Sequence, residues 1–184
     1  MGRRTASSVV VGTTSRVRPH PACRDKPRVN MELDLVTHRP EETQEFGRRL
    51  GEVSRPGDVL LLTGDLGSGK TCLTQGIAWG LGIKEHALSP TFVIMRELRG
   101  RLPLYHVDLY RLDRLEETRD LGLDDYFYGN GICVVEWAEK AMSLMPLDHL
   151  RIAIEYVSDT ERRLRLKPEG QRYEDLVTGL IKCT

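Results

Sequence analysis

The sequence has no Cys-x-x-Cys pair; its four cysteines, Cys23, Cys72, Cys133 and Cys183, are scattered. That speaks against a zinc site and against a disulfide framework. Cys72 and Cys133 fall where a core helix and a core strand are expected, so they read as small buried thiols in a reducing cytoplasm. Long apolar runs are also missing. The longest is about four residues, far short of the roughly 20 that cross a bilayer as a helix. Net charge is absent overall, with 27 basic and 27 acidic side chains, but acids are scarce at one end. Residues 1–30 carry Arg3, Arg4, Arg16, Arg18, Arg24, Lys26 and Arg28 against Asp25 alone, a net of +6. Residues 31–184 therefore carry −6, which offers no general basic surface for autonomous nucleic-acid binding.

What is present is an ordinary globular profile, 184 residues with 40 % hydrophobic and 29 % charged side chains, enough for one domain with a real core. Residues 1–30, rich in Arg, Ser, Thr and Pro, read as a disordered extension; a transit peptide is the alternative. Met31 opens the patterned sequence, and no repeat or linker divides 31–184. Glu32 to Thr37 alternates as a short strand. Pro40 suits a helix start, with Phe46, Leu50 and Val53 as its apolar stripe. Val59 to Thr63 is a strand, and Leu73, Ile77 and Leu81 mark the helix after it, capped by Gly82. Val93 to Leu98 and Leu102 to Asp108 form a hairpin about Arg99-Gly100. Leu112 to Leu123 is expected to be a short helix. Ile132 to Val135 is an apolar run of the kind buried on both faces of a sheet. Ala138 to Met145 reads as a helix stopped by Pro146. Leu150 to Tyr156 and Arg163 to Lys167 alternate as a terminal hairpin about Ser158-Asp159-Thr160. Tyr173, Leu176, Val177, Leu180 and Ile181 give a last helix.

The chemistry is concentrated in Val59-Leu60-Leu61-Leu62-Thr63-Gly64-Asp65-Leu66-Gly67-Ser68-Gly69-Lys70-Thr71. This is G-x-x-x-x-G-K-[ST] in its required setting, with a strand before and a helix after. Its glycines let successive N–H groups turn toward phosphate oxygens, and the helix start adds orphan amides and a positive dipole end. Lys70 is placed to reach the β- and γ-phosphates and the Thr71 hydroxyl to ligate Mg2+. The fold expected is α/β, a single P-loop NTPase-type domain with a central mixed, mostly parallel sheet flanked by helices.

Such a loop needs a carboxylate at a neighbouring strand end, and two qualify. Glu136 ends the stronger apolar run and is assigned to Mg2+ with Thr71. Asp108 is left to orient or deprotonate an attacking water, or to act in the second metal shell. In Ser89-Pro90-Thr91, Thr91 lies where nucleotide switches place a hydroxyl that senses the γ-phosphate. Trp137 is more often core than site, but there it can wall the pocket or report on a partner. His106 reads as structural first. The guanine-specifying Asn-Lys-x-Asp pattern is absent, which favours ATP over GTP.

These blocks together resemble the bacterial TsaE family, the small ATPase of tRNA threonylcarbamoyladenosine biosynthesis. The resemblance covers about residues 32–178. It rests on the phosphate loop, Ser89-Pro90-Thr91-Phe92, Tyr105-His106-Val107-Asp108-Leu109-Tyr110-Arg111, Gly122-Leu123-Asp124-Asp125-Tyr126-Phe127 and Val134-Val135-Glu136-Trp137. It implies an ATP-hydrolysing accessory subunit that joins the TsaB–TsaD pair and meets tRNA through that assembly. It further implies that Gly67, Ser68, Gly69, Lys70, Thr71 and Cys72 wrap the phosphates, that Thr71 and Glu136 hold Mg2+, and that Lys70 and Asp108 serve hydrolysis. Arg162 is expected to approach the nucleotide. The family often has Ala where Ser68 stands and Thr where Cys72 stands; both replacements are small. The alternatives are a small-molecule kinase of the P-loop class, with Arg111, Arg114 and Arg119 as a lid, and a nucleotide-gated binding module.

Overall fold

A computed structural model describes residues 32–85, 90 and 94–182. The extension at 1–30 and the switch position Thr91 lie outside the described residues. The strands are β1 (Leu33–Thr37), β2 (Val59–Thr63), β3 (Met95–Leu98), β4 (Leu104–Asp108), β5 (Ile132–Glu136), β6 (His149–Tyr156) and β7 (Arg162–Glu169). They form a seven-stranded sheet in the order β1-β7-β6-β2-β5-β4-β3. Pairings β6–β2, β2–β5 and β5–β4 are parallel, and β1–β7, β7–β6 and β4–β3 are antiparallel. Only β7 and β3 therefore run against the other five, as the mixed, mostly parallel expectation requires.

The two unbroken apolar runs, β2 and β5, are neighbours at the sheet centre and are buried on both faces. Leu60, Leu62, Ile132 and Val134 meet one core; Val59, Leu61, Cys133 and Val135 meet the other. The first core lies under helices α1 (Pro40–Val53) and α2 (Lys70–Gly80) and the last helix, Gln171–Lys182. The second lies under α3 (Leu115–Asp120), α4 (Asp124–Phe127) and a 3-10 segment at Ala138–Leu144. No residue of β1, β6 or β7 joins the second core, and β6 and β7 alternate inward apolar with outward charged residues. Gln171–Lys182 is α5.

Three helix expectations change. On α1 the buried face is Thr43, Gly47, Leu50 and Gly51, whereas Val53 is exposed and Phe46 half-buried. Gly47 and Gly51 face Gly76 and Gly80 of α2, and a Cβ on Gly76 would lie 2.0 Å from the Gln44 carbonyl oxygen. The helices touch backbone to backbone because small residues recur every four positions on both. The helix expected over Leu112 to Leu123 shrinks to α3, ended where Gly122 takes a left-handed conformation (φ 62), and α4 follows beyond the expected range. The stretch after β5 is 3-10 and is broken at Ala141 (φ −142). On α5 the expected stripe holds except for Ile181, which is exposed. At the end of α2, Gly82 donates to the Trp79 carbonyl (2.9 Å) and Ile83 to that of Ala78 (3.0 Å), the paired bonds of a Schellman stop.

Candidate nucleotide site

The loop after β2 is shaped by glycines with positive φ. Gly64 (φ 133) lies so close to β6 that a Cβ would meet the Ile154 carbonyl oxygen at 2.3 Å, so only glycine lets the chain leave the sheet there. Gly67 and Gly69 are also left-handed (φ 77 and 111), and α2 begins at once, with no side chain capping it. The amides of its first turn thus depend on another acceptor. Gly67, Gly69, Lys70, Thr71 and Cys72 line one side of a cleft of about 330 Å³, and Asp108, Tyr110, Glu136 and Trp137 line the other.

Sheet register explains the second wall. Asp108 is the cross-strand partner of Glu136, and strand alternation places His106, Asp108 and Glu136 on the α2 side with Leu104 and Val134. Glu136 is buried; its Oε2 accepts from the Thr71 hydroxyl at 2.9 Å. Its Oε1 lies 2.8 Å from His106 Nε2 and 3.3 Å from Thr74 Oγ1. The Asp108 carboxylate accepts from the Tyr110 amide at 2.9 Å, which turns the chain away from β4.

Lys70 is 5 % exposed, and its Nζ donates to the carbonyls of Gly64 (2.6 Å) and Asp65 (2.9 Å). The ammonium also lies 3.7 Å from the Trp137 ring centroid. Burial lowers the Lys70 pKa, opposed by the carboxylates of Glu136, Glu139, Asp108 and Asp65. Trp137 is left-handed (φ 60, ψ 36), an unfavourable conformation for a bulky residue, and its ring meets that of Tyr110 at 4.9 Å. Lys140 fastens the loop behind Tyr110, donating to the carbonyls of Tyr110 and Leu112 and to Asp113.

Of the expected site residues, all but the buried Ser68 and the undescribed Thr91 line this cleft. Arg162 reaches the phosphate loop through the Ser68 carbonyl (2.9 Å) and also donates to the carbonyls of Ser158 and Glu161. Ser68 Oγ is buried with no hydrogen-bond partner among the described residues. Burial raises the Cys72 pKa, and its thiol donates to the Pro40 carbonyl at 3.5 Å. Thr74 and His106 were not anticipated at the site. The clue for His106 was its place two residues before Asp108, which puts both on one face of a strand.

The donor set fits a hard cation. Thr71 Oγ1 and Glu136 Oε2 are adjacent oxygens, and Asp108 is beside them. No group of three or more His, Cys, Asp or Glu among the described residues forms a metal cage. Mg2+ commonly binds through one or two protein oxygens together with phosphate and water, which matches this arrangement.

The family model for "Threonylcarbamoyl adenosine biosynthesis protein TsaE" matches residues 37–164. A relative from Bacillus subtilis (strain 168), "tRNA threonylcarbamoyladenosine biosynthesis protein TsaE", is 48 % identical over 152 residues, covering 82 % of this chain and 95 % of that one. A protein of the same name from Treponema pallidum (strain Nichols) is 40 % identical over 132 residues, or 72 % of this chain and 98 % of its own length. The crystal structure of Bacillus subtilis YdiB superposes with a TM-score of 0.75 at 41 % identity, covering 84 % of this chain and 97 % of that chain. With its phosphate loop and strand-end acids in one cleft and these likenesses along most of its length, the chain belongs to the TsaE family.

Proposed function

We propose that the chain is a Mg2+-dependent ATPase that acts as an accessory subunit in tRNA threonylcarbamoyladenosine biosynthesis. One observation carries the chemical part: the Thr71 hydroxyl of the phosphate loop is hydrogen-bonded to the buried carboxylate of Glu136 at the end of the adjacent strand. Family membership carries the pathway. The partners are a TsaB–TsaD pair and, through it, tRNA, and the compartment is the cytoplasm. No helix among the described residues is long and apolar enough to cross a membrane.

In this reading Gly67, Ser68, Gly69, Lys70, Thr71 and Cys72 hold the phosphates, through backbone amides and the Lys70 ammonium. Thr71 and Glu136 hold the cation, which when bound neutralises charge on the β- and γ-phosphate oxygens. Asp108, one strand over, orients the attacking water or accepts its proton. Trp137 and Tyr110 wall the cleft.

The pathway assignment is tested by measuring threonylcarbamoyladenosine in tRNA from cells depleted of their own TsaE and supplied with this chain. The modification is expected to return with the wild type and not with Lys70→Ala. Its failure to return with the wild type contradicts the assignment. The kinase alternative is separated by the fate of the γ-phosphate: free inorganic phosphate supports the ATPase, and a phosphorylated small acceptor supports the kinase.

A further inference from the structure

Glu136 is held from inside the core as well as from the phosphate loop. His106, on β4, is fully buried, and Nε2 is 2.8 Å from Glu136 Oε1. Thr74, fully buried on α2, places Oγ1 3.3 Å from the same oxygen and 3.0 Å from the Lys70 carbonyl. The other oxygen, Oε2, meets Thr71. A carboxylate only accepts, so the proton of the histidine bond sits on Nε2. His106 Nδ1 is buried with no hydrogen-bond partner among the described residues. The imidazole therefore has one polar contact among the described residues, and that contact is Glu136. A ring kept for packing alone would bury no polar nitrogens; here a polar group is retained in the core where one oxygen uses it.

We propose that His106 and Thr74 are positioning residues for the cation site: they secure Oε1 of Glu136 and so present Oε2, beside the Thr71 hydroxyl, to the cation of a bound nucleotide. This rests on the reading of Glu136 as a Mg2+ ligand. The terminal torsion of a glutamate is broad, so an unsecured carboxylate samples orientations in which neither oxygen lies next to Thr71. The His106 N–H on β4 restricts that rotation, and the Thr74 hydroxyl on α2, whose single proton is shared with the Lys70 carbonyl, adds a weaker restraint. Because α2 also carries Lys70 and Thr71, the same contact ties the carboxylate to the helix that follows the phosphate loop.

The test is the affinity of the full chain for a non-hydrolysable ATP analogue, measured by calorimetry with and without Mg2+. His106→Leu is expected to lose about 10- to 100-fold of the Mg2+-dependent gain in affinity, with affinity in the absence of Mg2+ unchanged. His106→Gln, whose amide nitrogen reaches the Nε2 position, is expected to restore the gain. His106→Asn, whose amide stops at the Nδ1 position, is not. Thr74→Val is expected to show a smaller loss of the same kind, and it decides the question if His106→Leu does not fold. A wild-type Mg2+ gain in folded His106→Leu, or in Thr74→Val, overturns the proposal, as does an equal loss with and without Mg2+. Glu136→Gln is measured alongside. If it keeps the gain, the ligand reading fails and the positioning role with it. If it loses the gain while His106→Leu keeps it, the positioning role alone fails.

Discussion

Asp108 and Glu136 are cross-strand partners in one cleft, and the proposed reading gives them different roles. Glu136 is bonded to the phosphate loop through Thr71, and the Asp108 carboxylate accepts from the Tyr110 amide in its own turn. Glu136→Ala is therefore expected to lower Mg2+-dependent nucleotide affinity. Asp108→Ala is expected to spare binding and reduce turnover by about 10²- to 10⁴-fold, the range of a lost general base. Calorimetry with phosphate release on both variants checks this, and normal binding with normal turnover in both contradicts it. Both acids were legible in the sequence because each ends an apolar run beside a phosphate-loop motif. His106 and Thr74 were not. A histidine in a strand and a threonine in a helix interior carry no mark of the single oxygen they share, since that contact exists only once α2 packs on the sheet.

At the scale of elements, the strands were read more closely than the helices. Runs such as Val59–Thr63 and alternations such as His149–Tyr156 report directly how many sheet faces are covered. The α1 stripe was misread because the α1–α2 contact is made by glycines, which propensity treats as helix-weakening. Gly76→Ala would bring a methyl to 2.0 Å from the Gln44 carbonyl oxygen. Overpacking of this kind costs about 1–3 kcal/mol, so a Tm lower by about 2–12 °C is expected in thermal unfolding. An unchanged Tm contradicts the close packing. The link between α5 and β2 makes a second prediction. The Tyr173 hydroxyl oxygen accepts the Val59 amide at 2.7 Å in the core. Tyr173→Phe orphans that amide and should cost about 1–3 kcal/mol in denaturant unfolding. Burial pushes the Tyr173 phenol up to about 12, above the roughly 10 of an unfolded tyrosine. Its neutral form is thus favoured by folding, and this contribution is complete below about pH 10 and lost as pH rises toward 12. The stability of Tyr173→Phe should fall less steeply across that window than that of the wild type.

At the scale of the whole molecule, the parallel centre of the sheet gathers the proposed catalytic groups, and the antiparallel strands β7 and β1 extend it on one side. The parallel pairings β2–β5 and β5–β4 bring the ends of these three strands together, where α/β sheets place their ligands. That architecture was legible because a phosphate loop between strand and helix restricts the topology strongly. The residues of a single chain do not disclose a partner; the proposed TsaB–TsaD pair comes only from the family resemblance. No arginine finger is evident in the sequence, and Arg162 is engaged by three backbone carbonyls, so catalysis is expected to be incomplete without other chains. The direct measurement is inorganic phosphate released from Mg2+-ATP by the chain alone and with a TsaB–TsaD pair and tRNA. Slow release alone, lost on removing Mg2+ and rising on assembly, is the predicted result; a rate that the pair leaves unchanged would contradict it.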